Sequence, residues 1–158
     1  MITVGLGEYA ISVDEKEELI TYSLGSCVAL ILRCPNTKKT AMAHIVLPKA
    51  EREDHYTLLS QKPGYFANRI VPKLICHFLQ DTGCTVSDLE VILVGGANSM
   101  NDQDIFRIGS KNVEEIQRIL EQYQLKPKEI DVGGFVSRTV RIAVHSGVVQ
   151  VAKTKMII

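Results

Sequence analysis

The chain has 158 residues, of which 46% are apolar and 23% charged, a composition typical of a soluble globular protein with one sizeable core. Its 18 Lys and Arg residues balance its 18 Asp and Glu residues, so the zero net charge gives no electrostatic signal for nucleic acid or an anionic membrane as a partner. The longest apolar run, residues 27–32, is too short to span a bilayer, and the amino terminus lacks a signal-peptide pattern, so we expect a cytoplasmic protein without membrane insertion.

The first half of the chain is predicted to form short strands, separated by glycine, charged or Asn-containing breaks. These strands span residues 2–6, 9–13, 19–24, 28–33 and 40–47. Short strands with short connections indicate a mostly antiparallel sheet or two packed sheets. The segment 35–39 begins with proline and contains Asn36, which favours a turn and predicts a hairpin between residues 27–33 and 40–47.

The middle of the chain is predicted to contain a loop followed by a helix. Residues 48–63 are polar and show no strong periodicity, which indicates a surface loop. Apolar residues then recur every three to four positions from Phe66 to Phe78, which predicts an amphipathic helix. Pro72 lies inside this pattern, so either the helix kinks there or a second helix begins with Pro72 in its first turn.

A buried strand over residues 89–94 and a long polar loop over 97–109 are predicted next. Asn112 and Glu115 have the spacing of a capping box and predict the start of a second main helix, which ends before Pro127. Strands over 129–132, 138–144 and 148–152 follow, the last two joined by a turn at 145–147. These elements predict a single α+β domain, residues 1–158, with helices against one face of a β-rich core.

The four cysteines stand at positions 27, 34, 76 and 84 without the C-x-x-C spacing of a zinc ribbon or a thioredoxin-like motif. In a cytoplasmic protein free thiols are the better interpretation. Cys34, Cys76 and Cys84 have no base nearby in a productive arrangement, so we expect them to be structural, as most free cysteines are buried.

Cys27 differs because it follows Gly25 and Ser26 at a junction between two predicted strands. Such a turn can expose the sulfur and leave backbone N–H groups free to stabilise an oxyanion. A nucleophilic cysteine also needs a base, and the predicted hairpin places Cys27 opposite a residue between His44 and Val46. His44 is therefore the candidate base, and Thr21 or Ser23 could orient its second ring nitrogen.

The same pattern has a purely structural interpretation. Cys27 lies at the edge of an apolar run, where a cysteine is commonly a small core residue. His44, within an apolar strand, could be a buried and hydrogen-bonded histidine. Composition and spacing alone leave both interpretations open.

A series of short motifs identifies a resemblance to a known family. The motifs occur in this order along the chain: Leu24-Gly25-Ser26-Cys27, Ala41-Met42-Ala43-His44 with Leu47-Pro48, Lys62-Pro63-Gly64-Tyr65, Gly95-Gly96-Ala97 with Met100, Ile108-Gly109 with Asn112-Val113, and Asp131-Val132-Gly133-Gly134 with Ser137-Arg138. Together they resemble CheD, the chemoreceptor glutamine deamidase family of bacterial and archaeal chemotaxis. The similarity extends over nearly the whole chain.

The resemblance implies a protein-glutamine deamidase that converts glutamine side chains in the cytoplasmic helices of methyl-accepting chemotaxis receptors to glutamate and ammonia. Cys27 matches the family's nucleophile, His44 its general base, and Thr21 the residue that orients the histidine. Ser26 and Gly25 would position the substrate and its oxyanion, and no metal or organic cofactor is implied. The implied fold is an α/β/β sandwich, mostly antiparallel, with two main helices, similar to cytotoxic necrotising factor-type deamidases.

The resemblance also implies a CheC-type phosphatase as a possible partner. The expected contact is Ile105 with Phe106, two apolar residues in an otherwise polar loop. Two other functions remain as alternatives. One is a non-enzymatic module that regulates a phosphatase or a receptor by binding, and the other is asparagine deamidation or methyl-ester hydrolysis by the same Cys27–His44 pair.

Overall fold

The computed structural model describes residues 1–99 and 106–156 of the chain. Within these residues lie nine strands: β1 (Ile2–Thr3), β2 (Tyr9–Ser12), β3 (Glu18–Leu24), β4 (Val28–Arg33), β5 (Thr40–Ile45), β6 (Glu90–Gly95), β7 (Glu129–Val132), β8 (Val136–Ala143) and β9 (Val149–Lys155). The same residues form three α-helices: α1 (Glu53–Gln61), α2 (Ala67–Leu79) and α3 (Ile108–Gln122). None of these described helices combines the length and apolar character needed to cross a membrane.

The strands form two sheets. One has four strands in the order β1-β3-β8-β9, and the other has five in the order β2-β5-β4-β6-β7. The pairs β1–β3 and β6–β7 are parallel, whereas the other neighbours are antiparallel. The α+β class predicted from the sequence is therefore confirmed, with two packed sheets rather than one.

The five-stranded sheet is covered on both faces, which explains why β4 and β5 are buried along their whole length. Side chains of a strand alternate between faces. In β4, Val28, Leu30 and Leu32 pack with α2 and α3, whereas Ala29 and Ile31 pack with the four-stranded sheet. The molecule thus has three layers: helices, the five-stranded sheet and the four-stranded sheet.

The same alternation determines which way His44 faces. In β5, Ala41, Ala43 and Ile45 belong to the helix-side core, and Met42 belongs to the core between the sheets. His44 shares the face of Met42 and therefore points towards the four-stranded sheet. The hairpin prediction is confirmed as well, because β4 and β5 pair antiparallel with Ala29 opposite His44.

The predicted loop over residues 48–63 is wrong in part, because α1 occupies Glu53–Gln61. The count of two main helices consequently becomes three. This helix is short and largely polar, so it lacks the apolar repeat by which helices are identified from sequence. At Pro72 the outcome is one helix, since α2 runs from Ala67 to Leu79 with the proline inside it.

The predicted capping box at Asn112 and Glu115 is also wrong, because α3 already begins at Ile108. Both residues lie inside the helix and are buried. The first turn of α3 packs closely against the chain after β6, since a Cβ on Gly109 would lie only 2.2 Å from the carbonyl oxygen of Ala97. No local sequence pattern encodes such a close approach, whereas Asn and Glu three residues apart also occur inside helices.

Candidate active site

Cys27 and His44 line one pocket, at the edge of the interface between the two sheets. The pocket has a volume of about 290 Å³ and is lined by Thr3, Val4, Gly5, Leu6, Thr21, Tyr22, Ser23, Cys27 and His44. A larger cleft of about 510 Å³ lies between the segment after Leu47 and α3, but no thiol or imidazole lines it. The smaller pocket is therefore the candidate site for thiol chemistry.

Three elements supply the three central side chains. Cys27 directly precedes β4, His44 lies in β5, and Thr21 lies in β3 of the other sheet. Continuing the register of the β4–β5 hairpin puts Cys27 opposite Val46, so Cys27 and His44 are diagonal neighbours across the hairpin. The layering then brings Thr21 onto His44 from the opposite sheet.

The Thr21 hydroxyl makes two short hydrogen bonds that together determine the tautomer of His44. Its oxygen lies 2.6 Å from the Val4 carbonyl oxygen and 2.7 Å from Nδ1 of His44. A carbonyl oxygen only accepts, so the single hydroxyl proton goes to Val4. Thr21 must then accept a proton from Nδ1, which leaves Nε2 of the neutral ring with its lone pair free to act as a base.

Burial disfavours the charged form of both the Cys27 thiol and the His44 ring. Burial raises the pKa of the Cys27 thiol to about 11, and burial lowers the pKa of His44 below its ordinary value. Desolvation penalises the charged form of each group, so a pre-formed thiolate–imidazolium pair is disfavoured. The arrangement suits transfer of the thiol proton to Nε2 at the moment of attack.

The turn at Gly25–Cys27 is held by backbone hydrogen bonds from the end of β6. The Gly96 N–H donates to the Cys27 carbonyl, and the Ala97 N–H donates to the Gly25 carbonyl, each at 2.8 Å. Among the described residues, the N–H groups of Ser26 and Cys27 have no acceptor. These two N–H groups are the candidate donors for an oxyanion.

Gly25 itself is not required by the backbone of this turn. It does not have a positive φ, and an added Cβ would meet only the Met156 methyl group, at 3.8 Å. The contacts that hold Gly25 and Ser26 in this turn include their backbone carbonyls, which accept hydrogen bonds from the Ala97 N–H and the Asn112 side chain.

A β-bulge in β3 forms one wall of the pocket. Thr21 pairs with Val140 and Leu24 pairs with Arg138, so Tyr22 and Ser23 together stand opposite Thr139. Ser23 adopts a left-handed conformation with φ of 54°, and both bulge residues are exposed. Of the two hydroxyl residues considered for orienting His44, only Thr21 contacts the ring, while the Ser23 N–H donates to the Thr139 hydroxyl.

The other cysteines lie away from the pocket. Cys34 and Cys84 are buried in the helix-side core, in agreement with a structural role. Cys76 is exposed on α2, so the expectation that it is buried is wrong. Within residues 1–99 and 106–156 no three His, Cys, Asp or Glu side chains are grouped so as to hold a metal ion.

The expected partner contact is only partly described. Phe106 is exposed, with 64% of its surface accessible, and it precedes α3. Ile105 lies outside the described residues.

The sequence analysis did not identify the contacts that Val4 and Asn112 make at the site. Val4 fixes the tautomer of His44 through its carbonyl oxygen, which any residue type would supply. Asn112, predicted as a helix cap, donates its side-chain amide to the Ser26 and Val46 carbonyls at 3.0 Å each. A contact 86 residues away in the chain has no local sequence signal.

Comparison with known proteins adds independent information. The family model described as CheD chemotactic sensory transduction matches residues 46–153, a range that begins after His44. A protein of Syntrophotalea carbinolica named probable chemoreceptor glutamine deamidase CheD is 37% identical, over 96% of this chain and 93% of its own length.

Two further relatives have similar names and coverage. The probable chemoreceptor glutamine deamidase CheD 2 of Anaeromyxobacter dehalogenans is 36% identical, over 96% of this chain and 93% of its own length. The chemoreceptor glutamine deamidase CheD of Thermotoga maritima is 35% identical, over 95% of this chain and 90% of its own length. These alignments extend beyond the family-model match to nearly the whole chain.

Proposed function

The chain belongs to the CheD family, and from this premise we propose that it is a protein-glutamine deamidase acting on chemotaxis receptors. In the proposed reaction, water replaces the amino group of a glutamine γ-carboxamide in a methyl-accepting receptor, and the products are glutamate and ammonia. The names of the relatives support this substrate. The reaction would occur in the cytoplasm, on the cytoplasmic helices of the receptor.

The observation that carries the mechanism is that a thiol and an imidazole of defined tautomer line the same pocket. We assign Cys27 as the nucleophile, His44 as the general base and Thr21 as the residue that orients His44. In the first step, Nε2 of His44 takes the thiol proton while the sulfur attacks the carboxamide carbon, Cδ, of the glutamine. The electron pair of the C=O bond moves to oxygen, where the N–H groups of Ser26 and Cys27 would stabilise it.

The intermediate then collapses and is hydrolysed. The C–N bond breaks, the imidazolium of His44 protonates the leaving nitrogen, and ammonia departs to leave a thioester on Cys27. A water molecule, deprotonated by the same Nε2, attacks the thioester carbon. The C–S bond breaks, the thiol recovers its proton from His44, and the product is a glutamate side chain with one additional negative charge.

The surroundings of the pocket support a protein substrate. Leu6 and Tyr22 line the pocket, yet 52% and 51% of their surfaces are exposed. Large apolar side chains in such positions are suited to contact apolar neighbours of the target glutamine. We therefore assign Leu6 and Tyr22 to binding of the receptor surface around the glutamine.

The experiment that tests the function is incubation with a receptor cytoplasmic fragment followed by mass spectrometry. Hydrolysis of each amide to an acid raises the mass by about one unit, and ammonia is released in equal amount. The Cys27→Ala variant is expected to lose both signals. The matched control is Cys76→Ala, which removes an exposed thiol distant from the pocket and should leave activity unchanged. Full activity of Cys27→Ala would overturn the mechanism.

We further propose that Phe106, with Ile105, contacts a CheC-type phosphatase. Support for Phe106 comes from its exposure at the start of α3. Phe106→Ser is expected to weaken the complex at least about tenfold, as for an aromatic residue central to an interface. Phe135→Ser is the matched control, since Phe135 is also exposed. Equal binding of both variants would contradict this contact.

The layering also supports a relation in fold to cytotoxic necrotising factor-type deamidases. In this protein a cysteine directly precedes a central strand of a sheet that is covered by helices on one face and by a second sheet on the other. We propose that the two families share this α/β/β arrangement. Superposition on a solved structure of such a toxin would test the proposal.

A further inference from the structure

Asn112 is a fully buried polar residue in α3 that reaches the loop carrying the proposed nucleophile. Its side-chain nitrogen donates one hydrogen bond to the Ser26 carbonyl and one to the Val46 carbonyl, each at 3.0 Å. Ser26 directly precedes Cys27, and Val46 follows His44 by two residues. A single amide group therefore joins the two chain segments that carry the thiol and the imidazole.

The hydrogen bond to Ser26 also determines the direction of the next N–H group. The Ser26 carbonyl and the Cys27 N–H belong to one trans peptide unit, in which C=O and N–H point in opposite directions. Because Asn112 holds the carbonyl on the side of α3, the Cys27 N–H points away from α3. That is the side of the four-stranded sheet, whose β3 contributes Thr21, Tyr22 and Ser23 to the pocket.

The amide of Asn112 is not fully satisfied. Its Oδ1 atom is buried and has no hydrogen-bond partner among the described residues. Burying a polar group without a partner costs free energy, and an apolar side chain would avoid that cost. Asn112 is thus better explained by the two carbonyl groups that it holds than by core packing.

From this geometry we propose that Asn112 is a positioning residue for the deamidation reaction. It holds the Ser26–Cys27 peptide so that its N–H faces the oxyanion, and it fixes the distance between the segments of Cys27 and His44. The inference rests on the proposed function for its kinetic consequence. The positioning of Cys27 relative to His44 can be tested without the receptor.

The main test uses Asn112→Asp, which preserves shape but replaces the two donated protons with an acceptor. We expect kcat on the receptor fragment to fall about tenfold or more, as on loss of an oxyanion donor, with KM within about twofold. The matched control is Glu115→Gln, because Glu115 is buried one turn further along α3 and pairs with Arg118 instead of the loop. The control is expected to keep its kcat even if its melting temperature falls.

A second measurement is the rate at which iodoacetamide alkylates Cys27, compared among wild type, Asn112→Asp, His44→Ala and the double variant. We expect each single change to slow alkylation and the double variant to be no slower than the slower single variant. Such non-additivity would show that both residues act on the thiol as one unit. If Asn112→Asp does not fold, Asn112→Ser at low temperature replaces it and is expected to give smaller changes in the same direction.

The outcomes separate the two proposals. Unchanged kcat and an unchanged alkylation rate in a folded Asn112 variant would overturn the positioning role. A loss of activity fully accounted for by the fraction of unfolded protein would overturn it as well. If wild-type protein shows His44-dependent and Asn112-dependent alkylation but no deamidation of receptor, the positioning role holds and the proposed function fails.

Discussion

The Thr21 hydroxyl oxygen lies 2.7 Å from Nδ1 of His44 and belongs to a strand of the opposite sheet. The orientation of the proposed base is thus determined by how the two sheets pack. A change that separates the sheets would therefore remove the hydrogen-bond partner of His44.

Replacing Thr21 by Val keeps the side-chain shape but removes the hydroxyl group. Nδ1 of His44 then loses its acceptor, so the ring is free to adopt the other tautomer, with no lone pair on Nε2. We expect kcat to fall by about 10- to 100-fold, part of the usual contribution of general base catalysis. Thr21→Ser retains the hydroxyl group and should restore most of the activity. Equal rates for the Val and Ser variants would show that the hydrogen bond is irrelevant to catalysis.

The pH dependence of kcat/KM is expected to show a single rise on the acid side. His44 must be neutral to accept the thiol proton, and burial lowers its pKa, so the midpoint should lie below the ordinary value of 6.5. Because burial raises the pKa of Cys27 to about 11, thiol ionisation adds no further change up to about pH 9.5. Measurement of initial rates from acid to alkaline pH tests both statements. A bell-shaped profile centred near neutrality would contradict them.

The same shift of His44 has a consequence for stability. The unfolded chain binds a proton at this residue near pH 6.5, whereas the folded chain binds it only at lower pH. The contribution of His44 to stability is therefore lost as the pH falls from 6.5 to the lower folded-state pKa. Rates on the acid limb should accordingly be measured together with the folded fraction.

Removing the apolar groups beside the pocket should affect receptor binding more than chemistry. Leu6→Ser and Tyr22→Ser are each expected to raise KM for the receptor fragment by about 3- to 30-fold, with kcat changed less. Val148→Ser is the control, because Val148 is 58% exposed but does not line the pocket. A loss of kcat without a change in KM would argue against the binding role.

Gly109→Ala should destabilise the protein and lower its activity. The new Cβ would lie 2.2 Å from the Ala97 carbonyl oxygen and 2.5 Å from that of Gly96, so α3 must move away from the end of β6. Overpacking of this kind costs about 1–3 kcal/mol of unfolding free energy. Gly25→Ala has ordinary contacts and should change stability by less than about 1 kcal/mol. Chemical denaturation of the two variants gives the comparison.

The four thiols should react with iodoacetamide in an order set by exposure. Cys76 is exposed and should react first, whereas Cys27 is half-buried and should react more slowly. Burial, followed by the interaction with the neighbouring Cys34 thiol, raises the pKa of Cys84 to about 12. Because both are buried, Cys34 and Cys84 should react on the order of 100-fold more slowly than Cys76, until the protein unfolds. Peptide mapping after timed labelling tests the order.

Part of the site could be predicted because it depends on local rules. The turn at residues 35–39 and the strands beside it determine the hairpin register, and that register brings Cys27 near His44. The choice between Thr21 and Ser23 could not be made from spacing, because it depends on how the second sheet packs against the first. The family resemblance favoured Thr21, and in the structure the Thr21 hydroxyl lies within hydrogen-bonding distance of Nδ1 of His44.

The features that the sequence analysis missed have other physical causes. Asn112 was interpreted from its neighbours in sequence, but its hydrogen bonds reach Ser26 and Val46, far away in the chain. The helix α1 has little apolar periodicity, so its pattern resembles that of a polar loop. For Asn112 these tertiary contacts outweigh the local preference that sequence patterns measure.

The bulge in β3 arises because this strand has one more residue than its partner strand between Thr21 and Leu24. A chain lacking one of its two bulge residues, Tyr22 or Ser23, could pair regularly from Thr21 to Leu24 and would not need the left-handed conformation at Ser23. Such a deletion would make the β3–β8 pairing more regular. It would also remove one of the two bulge side chains that line the pocket of Cys27. Deletion of Tyr22 or Ser23 is therefore expected to lower catalytic turnover while the melting temperature is maintained.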